Sequence, residues 1–172
     1  IKSNLYGEYN FENINASIAM GIYFDLSLEQ IKNGIESYIP KNNRSEMIRT
    51  KSNFILADSY NANPTSMKVS IQSFIKLRGT KKILILGDMH EIGKTSIIEH
   101  KRILNSIKKN KDLKIFLVGK IFNQLKFNSE RIQFFCKTKE LISHLKKNLI
   151  VDCTILLKGS RKISLEKLIP FL

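Results

Sequence analysis

Residues 53–57 (NFILA), 81–87 (KKILILG), 113–119 (LKIFLVG), 131–135 (RIQFF) and 153–159 (CTILLKG) are short runs that are apolar along most of their length. The stretches between them carry helical stripes instead. Met67, Ile71, Phe74 and Ile75 make one stripe, and Ile103, Leu104 and Ile107 a second. Leu141, Ile142, Leu145 and Leu149 make a third, and a last helix is predicted at about 163–172. A strand with no polar face must be covered on both sides. Helices alternating with such strands supply that cover and the crossovers of a parallel sheet. Residues 45–172 therefore read as a doubly wound α/β domain with a mostly parallel sheet. There is no internal repeat and no low-complexity segment.

The chain before this domain has a different rhythm. Residues 10–24 repeat Ile14, Ile18 and Ile22 at helical spacing. The stretch DLSLEQIKNGIESYIP predicts a second helix. Ser27 and Gln30 fit a capping box, Leu28, Ile31 and Ile35 form the apolar stripe, and Pro40 ends it. The polar, turn-rich PKNNRSE that follows reads as a linker. Residues 1–44 are thus a short helical segment attached to the α/β domain.

The 172 residues, 42% of them hydrophobic, suffice for one domain or one domain plus part of another. The chain begins at Ile1, so an excerpt of a longer protein is expected. No stretch approaches the roughly 20 apolar residues of a membrane helix. No signal-peptide pattern opens the chain. Cys136 and Cys153 have no metal or redox spacing and read as reduced thiols, in keeping with a cytoplasmic location. The net charge of +14 favours anionic partners. Its lysines are spread over helix faces rather than gathered in a block. No aromatic–glycine RNA-binding signature accompanies them, so no nucleic-acid partner is expected.

In an open parallel sheet, ligands bind beyond the carboxyl ends of the strands. Three loops after predicted strands carry the chemistry. In DSYNANP, Asn63 and Pro64 make a good helix start, since the residue before proline is held extended as a cap requires. That leaves Asp58, Tyr60 and Asn61, a carboxylate, a phenol and an amide suited to a ribose diol, an amide or an amine. In KGSR, Lys158, Ser160 and Arg161 flank Gly159 and suit a carboxylate or phosphate. GDMHEIGKT resembles a phosphate-binding P-loop but has one residue too many between its glycines and two acidic residues, Asp88 and Glu91. Those two could instead meet an amine or arginine, or simply complement a helix N-terminus. Asn10, a candidate helix cap, and Asn13 share a helix face and could reach a nucleobase edge. His90, His100 and His144 are scattered, and His100 reads as a satisfied interface histidine.

Taken in order, Gly7-x-x-Asn10-x-x-Asn13, Arg44, Asp58 to Pro64, Gly87-Asp88-Met89-x-Glu91-x-Gly93 and Lys158 to Arg161 resemble the Mur ligases of peptidoglycan synthesis. Within them the motifs point to the branch that adds D-alanyl-D-alanine to UDP-N-acetylmuramoyl-tripeptide. The resemblance covers essentially the whole chain. It implies that residues 1–44 end a central ATPase domain and that residues 45–172 are a C-terminal Rossmann-like domain. A P-loop and the Mg2+ ligands would then lie upstream. It also implies ATP-dependent amide formation through an acyl phosphate, in a monomer. Asn10 and Asn13 would hold adenine. Arg44 would reach the phosphates and Asp58 would bind the ribose or orient the hinge, the two forming the catalytic pair. Tyr60, Asn61 and Asn63 would line the nucleotide and dipeptide side, and Lys158, Ser160 and Arg161 would receive the dipeptide or the muramyl peptide. Three positions depart from the family pattern: Tyr9 stands in place of a histidine, Ala57 in place of a second acidic residue, and Lys94-Thr95 make the second loop more P-loop-like. A stand-alone NTPase built on Gly87–Thr95 and a basic nucleic-acid-binding module are the competing readings.

Overall fold

The computed structural model describes residues 1–77 and 81–172. Six strands form one sheet: β1 (Glu46–Arg49), β2 (Asn53–Asp58), β3 (Lys82–Gly87), β4 (Lys114–Val118), β5 (Ile132–Phe135) and β6 (Cys153–Lys158). Their order is β1-β2-β6-β3-β4-β5. β1 pairs with β2 antiparallel, and every other pair is parallel. The α/β expectation of a doubly wound, mostly parallel sheet therefore holds.

Alternation along each strand feeds two cores. Leu56, Leu84, Leu86, Leu117 and Leu156 face one side. There they meet Met67, Ile71 and Phe74 of α3 (Pro64–Lys76) and Ile103, Leu104 and Ile107 of α4 (Ser96–Lys108). Ile55, Ile85, Phe116, Ile155 and Leu157 face the other side. They pack on Leu141 and Leu145 of α6 (Thr138–Lys147) and on Leu165 and Leu168 near the chain end. A short α5 (Lys120–Gln124) follows β4.

Four local expectations change. β1 lies at the end of the stretch read as a linker; a four-residue edge strand with alternating exposure leaves little apolar signal. Leu149 falls outside α6 and is exposed. The expected last helix is two 3-10 segments, Arg161–Ile163 and Leu165–Phe171, joined by Ser164 in the left-handed conformation. Pro170, which lacks an N–H and crowds the preceding turn, lies inside the second.

The fourth change concerns the helical segment, α1 (Phe11–Tyr23) and α2 (Leu28–Ser37). The predicted capping box at Ser27 and Gln30 is present. The two helices meet where Gly21 leaves room for Ile31, since a Cβ at Gly21 would strike that side chain. Yet the outer half of the apolar stripes, Ile22 and Leu28 included, is exposed. The segment is tied to the α/β domain by polar contacts: the Tyr6 hydroxyl donates to the Ser73 carbonyl (2.8 Å), and Tyr9 Oη lies 2.9 Å from Ser45 Oγ. No helix among the described residues is long and apolar enough to cross a membrane.

Candidate functional site

The carboxyl ends of β2, β3 and β6 bring the three informative loops to one edge of the sheet, where the helical segment overhangs them. Two adjoining spaces result. A cleft of about 930 Å³ is lined by Asn10, Asn13, Arg44, Asp58, Asn63 and Lys158, among others. A smaller cavity of about 330 Å³ is lined by His90, Glu91, Ser160, Arg161 and Lys162. Tyr60 and Asn61 line both. All ten candidate residues thus border one or other of these spaces. A third hollow, of about 550 Å³, lies between α1 and α2, and Asn10, Asn13 and Arg44 also touch it.

Asp58 and Lys158 end neighbouring strands and are direct partners in the parallel register. The Lys158 ammonium donates to Asp58 Oδ2 at 2.7 Å, and the Ser70 hydroxyl donates to the same oxygen at 3.2 Å. Lys158 is 3% exposed and Asp58 14% by side chain. The lysine expected to meet a substrate is therefore engaged within the protein. Tyr9, standing where a histidine was expected, lies close by. Burial raises its phenol above the ordinary tyrosine value, and the Asp58 carboxylate adds to the effect.

Asn10 begins α1 but its side chain does not cap the helix, contrary to expectation. Its amide instead donates to the Tyr6 carbonyl (2.6 Å), and its Oδ1 accepts from the Asn13 amide (2.9 Å). Asn10 is buried while Asn13 is exposed, so the spacing of three does place both on one face, with one holding the other. Asn63 caps α3 as expected: its Oδ1 accepts from the Ser66 N–H (2.8 Å), and the Ser66 hydroxyl accepts from the Asn63 N–H. Asn61 Oδ1 accepts from the Ala62 N–H (2.8 Å) and its NH2 group remains at the cleft.

Tyr60 gathers the cations. The Arg44 guanidinium lies 3.7 Å from its ring centroid and that of Arg161 lies 5.6 Å away. Cation–π attraction organises the three. A hydrogen bond from Arg44, then its charge and that of Arg161, lower the Tyr60 phenol below its usual value.

The first three N–H groups after Gly87 are spent within the protein: Asp88 on the Val118 carbonyl (2.9 Å), Met89 on His100 Nε2 (2.9 Å) and His90 on Ser160 Oγ (2.8 Å). Among the described residues Asp88 pairs with neither arginine nor amine. It accepts from Ile121 and Phe122 N–H groups (2.8 and 2.9 Å) and so complements the N-terminus of α5. Buried His100 donates from Nδ1 to the Ser96 carbonyl (2.7 Å), which leaves Nε2 to accept from Met89. It is the satisfied histidine that its place in the stripe predicted. Burial lowers its pKa. Among the described residues, no group of three or more His, Cys, Asp or Glu side chains is placed to hold a metal ion.

Sequence reasoning passed over Ser70 and Ser45, and read His90 only as one of three scattered histidines. Ser70 was detectable as the one polar residue in the buried stripe Met67–Ser70–Ile71–Phe74. Ser45 combines burial with a positive φ of 52°, which no residue pattern announces. His90 Nε2 is buried without a hydrogen-bond partner among the described residues, at the wall of the smaller cavity.

Residues 43–161 match the family described as Mur ligase, glutamate ligase domain. The UDP-N-acetylmuramoyl-tripeptide–D-alanyl-D-alanine ligase of Bacillus subtilis is 35% identical over 173 aligned positions, covering 96% of this chain and 38% of the relative. A crystal structure of MurF from Acinetobacter baumannii superposes with a TM-score of 0.80 at 28% identity, over 95% of this chain and 37% of that one. The MurF ligase from Thermotoga maritima in complex with ADP, 20% identical, shares the fold at a TM-score of 0.80 over 97% of this chain and 38% of that one. The chain thus spans less than two fifths of the length of these relatives.

Proposed function

This chain belongs to the Mur ligase family, and from that premise we propose that it supplies the C-terminal part of an ATP-dependent ligase. The ligase joins D-alanyl-D-alanine to UDP-N-acetylmuramoyl-tripeptide in peptidoglycan synthesis. The observation that carries the reading is the meeting of DSYNANP, KGSR and Arg44 around two adjoining spaces at the carboxyl ends of parallel strands. Residues 1–44 would close a central ATPase domain and residues 45–172 form the C-terminal one. The exposed apolar side chains of α1 and α2, Phe11, Met20, Ile22 and Leu28 among them, support that division, because a surface of that kind is ordinarily covered.

In the proposed reaction the tripeptide carboxylate attacks the γ-phosphorus of ATP. An O–P bond forms as the β–γ bridge breaks, and ADP leaves. The free amine of D-alanyl-D-alanine then attacks the acyl phosphate carbonyl. A C–N bond forms, inorganic phosphate departs, and the nitrogen gives up one proton to solvent. The chain's contribution is positioning and charge. Asn13, held by Asn10, offers an amide edge to adenine. Asp58 accepts from the ribose. Arg44 supplies positive potential to the phosphates. Tyr60, Asn61 and Asn63 line the passage to the smaller cavity, where Ser160 and Arg161 meet the dipeptide or the muramyl peptide. The residues present fit a nucleotide: the cleft combines amides, a carboxylate and a guanidinium. Among the described residues no three His, Cys, Asp or Glu side chains gather to hold a metal ion, and Mg2+ would be held outside this chain. A monomer acting in the cytoplasm, where ATP is supplied, completes the reading.

The test uses a longer protein that carries this chain. With ATP, UDP-N-acetylmuramoyl-tripeptide and D-alanyl-D-alanine together, it should release ADP and yield a product heavier by the dipeptide less one water. Omitting any one substrate should abolish that product. ADP release indifferent to the dipeptide, and abolished by Lys94→Ala, would instead support an NTPase built on the glycine-rich loop.

A further inference from the structure

We propose that Lys158 is a positioning residue for the nucleotide site: it fixes Asp58 and takes no incoming substrate itself. The proposal rests on the ligase reading above. Residues directly opposed on neighbouring strands project from the same face of a sheet. Asp58 and Lys158 are such a pair, two positions beyond Leu56 and Leu156. They emerge on the face covered by α3, which brings Ser70 to them. Lys158 is inward, at 3% exposure, and Asp58 is the member that reaches the cleft, at 14%. Oδ2 of Asp58 takes both donors, the ammonium at 2.7 Å and the Ser70 hydroxyl at 3.2 Å. Oδ1 receives no hydrogen bond among the described residues. The pair therefore clamps one carboxylate oxygen and leaves the other for a hydroxyl donor, as a ribose provides.

The same geometry argues against a role for Lys158 on the dipeptide. A buried ammonium that left its carboxylate would strand both charges. The smaller cavity, where a dipeptide carboxylate would meet Arg161 and Lys162, is lined without Lys158. The KGSR loop thus divides its labour: the lysine serves DSYNANP, 100 residues away, while Ser160 and Arg161 face the cavity.

A double-mutant cycle on the longer protein that carries this chain decides the matter. D58N, K158M and D58N/K158M are compared for kcat, for the KM of ATP and for the KM of D-alanyl-D-alanine. Each single change should raise the ATP KM by about tenfold or more, the worth of a charge-assisted hydrogen bond, and leave the dipeptide KM unchanged. The double variant should be no worse than D58N. Effects that multiply, or a K158M effect that falls on the dipeptide KM, would overturn the proposal. So would a K158M protein that melts earlier but keeps its ATP KM, since that is a structural role alone. If K158M does not fold, D58N/K158M, in which no charge is stranded, is read against D58N: equal ATP KM supports the proposal and a further loss overturns it. If the wild-type protein shows no dipeptide-dependent ADP release, the ligase reading fails. ADP affinity of the same variants by calorimetry then still decides the role of Lys158.

Discussion

Tyr60 is exposed, yet two guanidiniums converge on its ring. If the ring is what aligns Arg44 and Arg161, removing the hydroxyl matters less than removing the ring. In the longer protein, Tyr60→Phe should keep an ATP KM close to wild type. Tyr60→Ala should raise it by about twofold to fivefold, the scale of an exposed cation–π contact. Steady-state kinetics on the two variants checks the order. His100 makes a different prediction. Burial lowers its pKa in the folded protein, so the unfolded chain binds the proton first as the pH falls. The stability that rests on neutral His100 is complete above the unfolded value of about 6.5 and is lost as the pH drops through the lower, folded value. Asp88, His90 and Glu99 act on the same ring. Thermal melts at descending pH should show this loss, and His100→Gln should flatten it.

At the scale of elements, the loop after β3 is held by α5. Gly119 has φ 134°, and a Cβ there would collide with the Asp88 carboxylate. Gly119→Ala should therefore cost about 2–4 kcal/mol, from backbone strain and a displaced helix cap together. Chemical denaturation measures it. This scale also divides what the residues announced from what they concealed. The parallel strands were legible because burial on both faces removes polar residues from their centres, as in ILIL and ILL. The start of α3 was legible because Asn63 and Pro64 are adjacent and each alone favours a helix start; the reciprocal bond from Ser66 came with the structure. β1 was not, since an edge strand needs no apolar face. The ion pair of Asp58 and Lys158 was not either, because only the sheet order sets β6 beside β2. Each residue was marked as a site candidate, and their partnership required the register.

At the scale of the whole molecule, the cleft proposed to take the nucleotide has a floor and one wall. Asn13, Arg44, Asp58 and Tyr60 border it, while the apolar faces of α1 and α2 lie open beside it. The chain matches less than two fifths of its relatives' length, and the glycine-rich loop it does contain has committed the N–H groups of Asp88, Met89 and His90 elsewhere. The central claim is a division of labour in which this chain shapes the site but does not energise the phosphate. Assaying the isolated 172-residue chain beside the longer protein, with ATP and both peptidoglycan substrates, tests that claim directly. The account predicts dipeptide-dependent ADP release from the longer protein and none from the isolated chain, although the chain retains a cooperative melt. Turnover by the isolated chain would contradict it.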